Sequence, residues 1–347
     1  MQTIPSFYLG VDVSKSWLDV SMMQLIAYAK QPMQTKRFKN TKAGLRGFSQ
    51  WLKKAKVPFS DQTIVVAENT GIYHRLLWQF CSSQDLPIHI GNAAHIKWSF
   101  GIARGKNDVI DSKRLCSYAF KEADSLDLMP ALQPDITELK DLMSCRKKLV
   151  KQLSGIQQHL GELKVSNTKA VQASIAKAHK AAINGLKTSI AEIEKQIKAL
   201  IKRDHSITHT YSLLRTVPGV GHWTAVYLIG CTYNFHTHFT GKQLACYSGA
   251  APFEQTSGSS IKGRPRVHKM ANKDLKAMLY MGALSCIRNY PEFKQYYQRK
   301  LKEGKHTLSV LNAIRNKILL RVAAVINNQK PYEVRPLNEP KIYKKNA

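Results

Sequence analysis

Phe7-Tyr8-Leu9-Gly10-Val11-Asp12-Val13 is an apolar run with one carboxylate near its end. Such a run reads as a buried strand, and a carboxylate inside it needs a partner or a metal ion. Asp19 to Leu25 follows after a tight connection, and a more polar run covers Thr35 to Lys39. The three together read as a meander at a sheet edge. A helix is predicted from Thr41 to Lys54, with Thr41 as its N-cap. Thr63 to Ala67 is a β-branched fourth strand, Tyr73 to Ser82 a helix, and Pro87 to Ile90 a fifth strand. The chain then turns helical through the 110s.

Three strands, a helix, a strand, a helix, a strand and a helix is the order of an RNase H-like (RuvC-like) domain, although the pattern alone fits other α/β folds too. In an RNase H-like sheet the first and fourth strands are neighbours. Asp12 and Glu68, which ends the fourth strand in Ala67-Glu68-Asn69-Thr70-Gly71, would then meet. Asp108 and Asp111 stand three residues apart, on one face of a helix. Four carboxylates converging is the Mg²⁺ arrangement of phosphoryl-transfer sites. Each alone has a plainer explanation, since an Asp after a strand glycine often caps a turn and Asp-x-x-Asp suits a helix start.

Acidic residues are scarce in this chain. Its 347 residues carry 53 Lys and Arg against 23 Asp and Glu, a formal net charge of +30. A polyanion is the natural partner for that excess, because each neutralised phosphate releases condensed counterions. The charge runs along the whole chain, which argues against a basic tail on a neutral enzyme. No segment is apolar enough to span a bilayer and no leader is evident, so a bacterial cytoplasmic protein acting at the nucleoid, without a membrane, is expected. Six separated cysteines without a C-x-x-C pair read as free thiols.

The middle of the chain changes character. Leu142, Leu149, Ile156 and Leu163 recur every seven residues, and Leu139, Leu153 and Leu160 fill a second heptad position where Arg146 is the exception. Ile183, Leu186, Ile190, Ile193, Ile197 and Leu200 form a second stripe. These are coiled-coil patterns that fit a hairpin, a subunit contact or both, and equally a plain spacer. Beyond Tyr211, Val217-Pro218-Gly219-Val220-Gly221 has the look of a helix-hairpin-helix turn. There Gly219 and Gly221 would let backbone N–H groups meet a phosphate. Helices are predicted from Lys273 to Ile287, Pro291 to Lys302 and Leu308 to Asn327. The expected organisation is α/β plus α: 1–130 a RuvC-like nuclease domain, 131–205 a central coiled coil, 206–330 a mostly helical C-terminal domain, and 331–347 a basic tail.

The segment Gly10-Val11-Asp12-Val13-Ser14-Lys15, the Glu68 segment and Lys106-Asn107-Asp108-Val109-Ile110-Asp111-Ser112-Lys113 resemble the DEDD-type transposases of the insertion-sequence 110 family. The likeness continues through Leu244-Ala245-Cys246-Tyr247-Ser248-Gly249-Ala250-Ala251-Pro252, Thr256-Ser257-Gly258 and the helix opening Asn272-Lys273-Asp274-Leu275-Lys276. It covers nearly the whole chain in order. The resemblance implies a bridge-RNA-guided recombinase acting on donor and target DNA. It implies Mg²⁺ on Asp12, Glu68, Asp108 and Asp111, and dimers that pair into a tetramer. It also implies a serine nucleophile in the C-terminal transposase domain, matched at Ser257, with Ser259 and Ser260 close by. Without it, Thr-Ser-Gly-Ser-Ser is ordinary turn chemistry. Candidate nucleic-acid contacts are Arg104, Lys106, Lys113, Arg114, Lys262, Arg264, Arg266 and Lys269, together with the two turn glycines. Where many members carry Ser-Lys-x-Gly-Asn this chain reads His268-Lys269-Met270-Ala271-Asn272, so detailed DNA contacts do not carry over.

Two rivals remain at this level. A RuvC-like structure-specific endonuclease using metal-activated water needs the carboxylates and no serine. A non-catalytic nucleic-acid binder needs neither.

Overall fold

The computed structural model describes residues 5–100, 107–166, 168–236, 239–257, 261–267 and 270–333. The chain divides into two compact units, Met1–Leu132 and Gln133–Ala347.

The first unit opens with β1 (Phe7–Val13), β2 (Trp17–Ile26), the two-residue β3 (Ala29–Lys30) and β4 (Gln34–Lys39). Helix α1 (Lys42–Lys54) follows, then β5 (Thr63–Glu68), α2 (Arg75–Ser83), β6 (Ile88–Gly91), α3 (Ala93–Ser99) and α4 (Asp108–Lys121). The sheet order is β3-β2-β1-β5-β6, with β4 also paired to β2. β1 runs antiparallel to β2 and parallel to β5, and β5 runs parallel to β6. This mixed topology is consistent with an RNase H-like fold. Thr41 caps α1, its hydroxyl accepting from the Gly44 N–H at 3.1 Å. The short β3 and the division of the last helical region into α3 and α4 have no counterpart in the sequence reading.

Alternation along β1 sends Tyr8, Gly10 and Asp12 to one face. There α4 packs, and Tyr8, Met23, Ile64, Val66, Leu115, Cys116 and Ala119 form one buried cluster. Gly10 is required at this contact. A Cβ built on it would lie 2.0 Å from the Cys116 backbone N and 2.3 Å from the Ser112 carbonyl O. Beside it the Ser112 and Ser21 hydroxyls share a buried 2.8 Å hydrogen bond. The helix is thus seated directly on the strand that carries Asp12.

The second unit begins with two long helices, α5 (Pro134–Ser166) and α6 (Lys169–Arg203). They pack antiparallel. Arg146 pairs with Glu194 at 2.7 Å, His159 faces His179, and Arg203 reaches Asp135 and Glu138. At their base Ile136, Leu139, Ile197, Leu200 and Ile201 join the same core as the later helices. Farther out Leu149, Leu153, Ile156, Leu160, Ile183, Leu186 and Ile190 are only half-buried.

Helices α7 (His205–Thr216), α8 (His222–Cys231) and α9 (Gly241–Ser248) follow. Next come a two-stranded hairpin, β7 (Phe253–Ser257) and β8 (Ile261–Arg266), and then α10 (Lys273–Asn289), α11 (Pro291–Lys302) and α12 (Thr307–Asn328). α12 is the central helix, with ten buried residues from Val310 to Ile326. No helix among the described residues is long and apolar enough to cross a membrane.

Candidate active site

The row of charges across the sheet follows from register. Asp12 on β1 stands opposite Asp19 on β2, and Asp19 stands opposite Arg37 on β4. Cross-strand partners share a face, so the three form one row. Val11 pairs with Ala67, which puts Asp12 and Glu68 at matching positions where β1 and β5 end. Asp108 and Asp111 sit in the first turn of α4, which Asn107 caps by accepting from the Ile110 N–H at 2.8 Å. The helix dipole favours both carboxylates there.

Asp12 registers all of this electrostatically. Its carboxyl is pushed up to about 6, first by burial and then by the charges of Asp108, Asp111, Glu68 and Asp19. Every one of these influences opposes ionisation. Two arginines pair with the acids that act on Asp12. The Arg37 guanidinium donates from Nε to Asp19 Oδ1 at 2.8 Å and from Nη2 to Asp108 Oδ2 at 2.9 Å. Arg114 holds Asp111 at 2.9 Å. The carboxylates therefore form a cluster of like charge. Among the described residues, no three acidic, imidazole or thiol groups stand in metal-holding geometry. By donor chemistry the cluster still fits a hard cation, which would relieve the repulsion that Asp12 feels.

Asp19 and Arg37 were not singled out from sequence. Asp19 is 5% exposed, a buried acid on an edge-side strand. Its signal lay in register, opposite Asp12 with a lone arginine beyond, and that needs the pairing to be known.

The other predicted contacts are spread out. Lys113 is exposed on α4. Gly219 takes a left-handed φ of +83° in the α7–α8 turn, and its side faces inward. A Cβ there would meet Cys286 Sγ at 2.7 Å and Ile318 Cδ1 at 2.8 Å. Packing alone thus demands glycine at 219. Gly221 is exposed just before α8. Ser257 ends β7, opposite Ile261, at the hairpin's turn. Its side chain lies outside the described residues' atoms, as do those of Lys262 and Arg264 on β8. Arg266 is exposed at the end of β8. Arg104, Lys106, Ser259, Lys269 and tail residues 334–347 lie outside the described residues.

Known proteins share this chain's pattern at both ends. Residues 9–163 match a DEDD-type IS110 transposase model, and residues 211–298 match the model of the transposase IS116/IS110/IS902 family. A pilin gene-inverting protein of Moraxella bovis is 28% identical over 334 residues, 94% of this chain and 98% of that relative. Its namesake in Moraxella lacunata is 27% identical over the same share. A 43.6 kDa protein of insertion element IS110 from Streptomyces coelicolor is 30% identical over 140 residues, 39% of this chain and 34% of its own. The two models together take in well over half of the sequence, in the order that the fold lays out, and the chain belongs to the IS110 family of transposases, enzymes of DNA strand cleavage and transfer.

Proposed function

We propose that this transposase is an RNA-guided DNA recombinase that cuts and rejoins strands through a serine nucleophile and a Mg²⁺-binding carboxylate cluster. The observation that supports it best is Asp12 on β1, whose carboxyl is protonated more readily first because of burial and then because of the charges of Asp108, Asp111 and Glu68. Asp12, Glu68, Asp108 and Asp111 are the residues that would hold Mg²⁺. Bound there, the ion would supply Lewis-acid polarisation of a phosphodiester oxygen.

Ser257 is the nucleophile in this reading. Its Oγ adds to the scissile phosphorus and gives up its proton to a base. The P–O bond to the departing deoxyribose breaks, which leaves a sugar hydroxyl and a phosphoserine ester. Attack on that ester by a hydroxyl of another strand restores Ser257 and joins the DNA, so bond energy is kept rather than lost to water. A structured non-coding RNA would choose donor and target by base pairing, while the basic protein surface grips backbone. The long α5–α6 pair supports a homo-oligomer, because two helices alone leave their apolar stripes half-buried. In domain terms, 1–130 would bind the metal, 131–205 would join subunits, and 206–330 would carry the serine, followed by the basic tail 331–347.

A two-plasmid recombination assay, with and without RNA transcribed from the element's flank, tests this reading. Joined product is expected only with RNA, and Asp12→Asn, Glu68→Gln and Ser257→Ala should each lower it about a thousandfold or more. Product formed without RNA would remove the guide. Product retained in Ser257→Ala would remove the nucleophile.

A further inference from the structure

Arg315 lies in the middle of α12, only 7% exposed, and its Nε has no hydrogen-bond partner. Its guanidinium carbon sits 5.5 Å from the centre of the Tyr280 ring on α10. No carboxylate among the described residues pairs with it. Lys276, one turn earlier on α10, likewise has no acidic partner among them. Burial lowers the pKa of both side chains, and the charge of Arg315 lowers that of Lys276 further. Two cations that act on each other, one buried and one half-buried, with no anionic partner among the described residues, are a costly arrangement for structure alone. Tyr280 offsets part of the cost through its ring face, and it leaves the Nε–H unanswered.

The pair stands beside one particular turn. Helix α9 ends at Gly249, whose φ is +67°, and a Cβ on that glycine would lie 3.8 Å from Lys276 Nζ. Asn312, one turn before Arg315, donates from Nδ2 to the Ala250 carbonyl at 2.6 Å. Asn272 at the start of α10 donates its backbone N–H to the Tyr247 carbonyl at 2.8 Å and its Nδ2 to Tyr247 Oη, also at 2.8 Å. The turn from Ser248 to Pro252 is therefore fixed by the same two helices that carry the cations. It leads at once into β7, whose last residue is Ser257.

We propose that Lys276 and Arg315 form a binding site for a backbone phosphodiester of the nucleic-acid strand that reaches the β7–β8 hairpin. The inference rests on the reading of this unit as acting on DNA. An arginine fork and a lysine point charge suit one phosphodiester, with its two non-bridging oxygens facing the guanidinium and one of them shared with the ammonium. The desolvated setting strengthens the grip relative to the many exposed lysines of the chain.

Binding of a fluorescently labelled duplex oligonucleotide to the full-length protein, measured across a range of KCl, tests the site. Lys276→Gln and Arg315→Gln should each weaken binding about tenfold and make the salt slope shallower by about 0.9, the share of one phosphate. Arg315→Lys should keep most of the slope. Lys187→Gln, an exposed lysine on α6, is the control for charge lost at random. The proposal is overturned if Lys276→Gln and Arg315→Gln follow the wild-type line, or shift no more than Lys187→Gln. Thermal melting identifies a variant that has lost its fold, and Lys276→Gln, at a half-buried position, decides if Arg315→Gln has done so. Adduct formation by Ser257 is scored separately. Wild type that binds with the expected slopes yet forms no adduct refutes the serine and leaves the phosphate site standing.

Discussion

Asp12 carries the argument at the scale of single residues. Its place inside an apolar strand was readable in the sequence, and so were Glu68, Asp108 and Asp111. Asp19 and Arg37 were not, because their meaning comes from pairing partners seven and eighteen residues away. The raised carboxyl of Asp12 has a consequence for stability. A folded-state value of about 6 against an ordinary 3.8 means the fold binds the proton more tightly than the unfolded chain does. Metal-free wild type should then lose stability as pH rises from about 4 to 6. Asp12→Asn should melt higher than wild type at pH 7 and about equally at pH 4, as scanning calorimetry in chelator would show. Arg37→Gln removes the partner of a buried acid. A lower melting temperature in scanning calorimetry is expected from the orphaned Asp19. The same change takes a cation from the cluster, so titration calorimetry should show tighter binding of Mn²⁺ than in wild type. Weaker binding would mean that Arg37 orders the site rather than balancing it.

Among the elements, β1 and α4 matter most, and Gly10 is their joint. The strand was legible from its apolar run and the helix from its Asn-Asp-x-x-Asp opening. Their direct contact was not, since no local pattern says which helix will lie on a glycine. Gly10→Ala should push α4 off β1. The expected cost is about 3 kcal/mol, with cleavage lost although every carboxylate remains; equilibrium urea unfolding measures the first and a nicking assay the second. Gly155 on α5 is the opposite case, with nothing within 4 Å of a built Cβ. Gly155→Ala should stabilise by about 0.5–1 kcal/mol. The β7–β8 hairpin shows where sequence reading ran short. Alternating basic residues suited strand and loop alike, and the pairing of Thr256 with Lys262 settles their backbone as strand. In α6 the alanine-rich start carried no stripe, yet helix propensity and the packing of α5 keep it helical from Lys169.

For the whole molecule, the net charge of +30 was the plainest signal and pointed to a polyanion from the start. Composition could not say how the acids and bases are sorted. In the first unit Asp19, Glu68, Asp108 and Asp111 act on Asp12, and in the second the cations Lys276 and Arg315 have no acidic partner among the described residues. In the proposed reading, the carboxylates of the first unit would hold the metal ion and the second unit would supply the serine. The measurement that tests this most directly is a denaturing gel of protein incubated with labelled donor and target DNA, the flanking RNA and Mg²⁺. The account predicts a protein–DNA adduct in wild type that survives denaturation and is absent in both Ser257→Ala and Asp12→Asn. Strand cleavage without any adduct, undiminished in Ser257→Ala, would contradict it and leave a carboxylate-dependent nuclease that uses water.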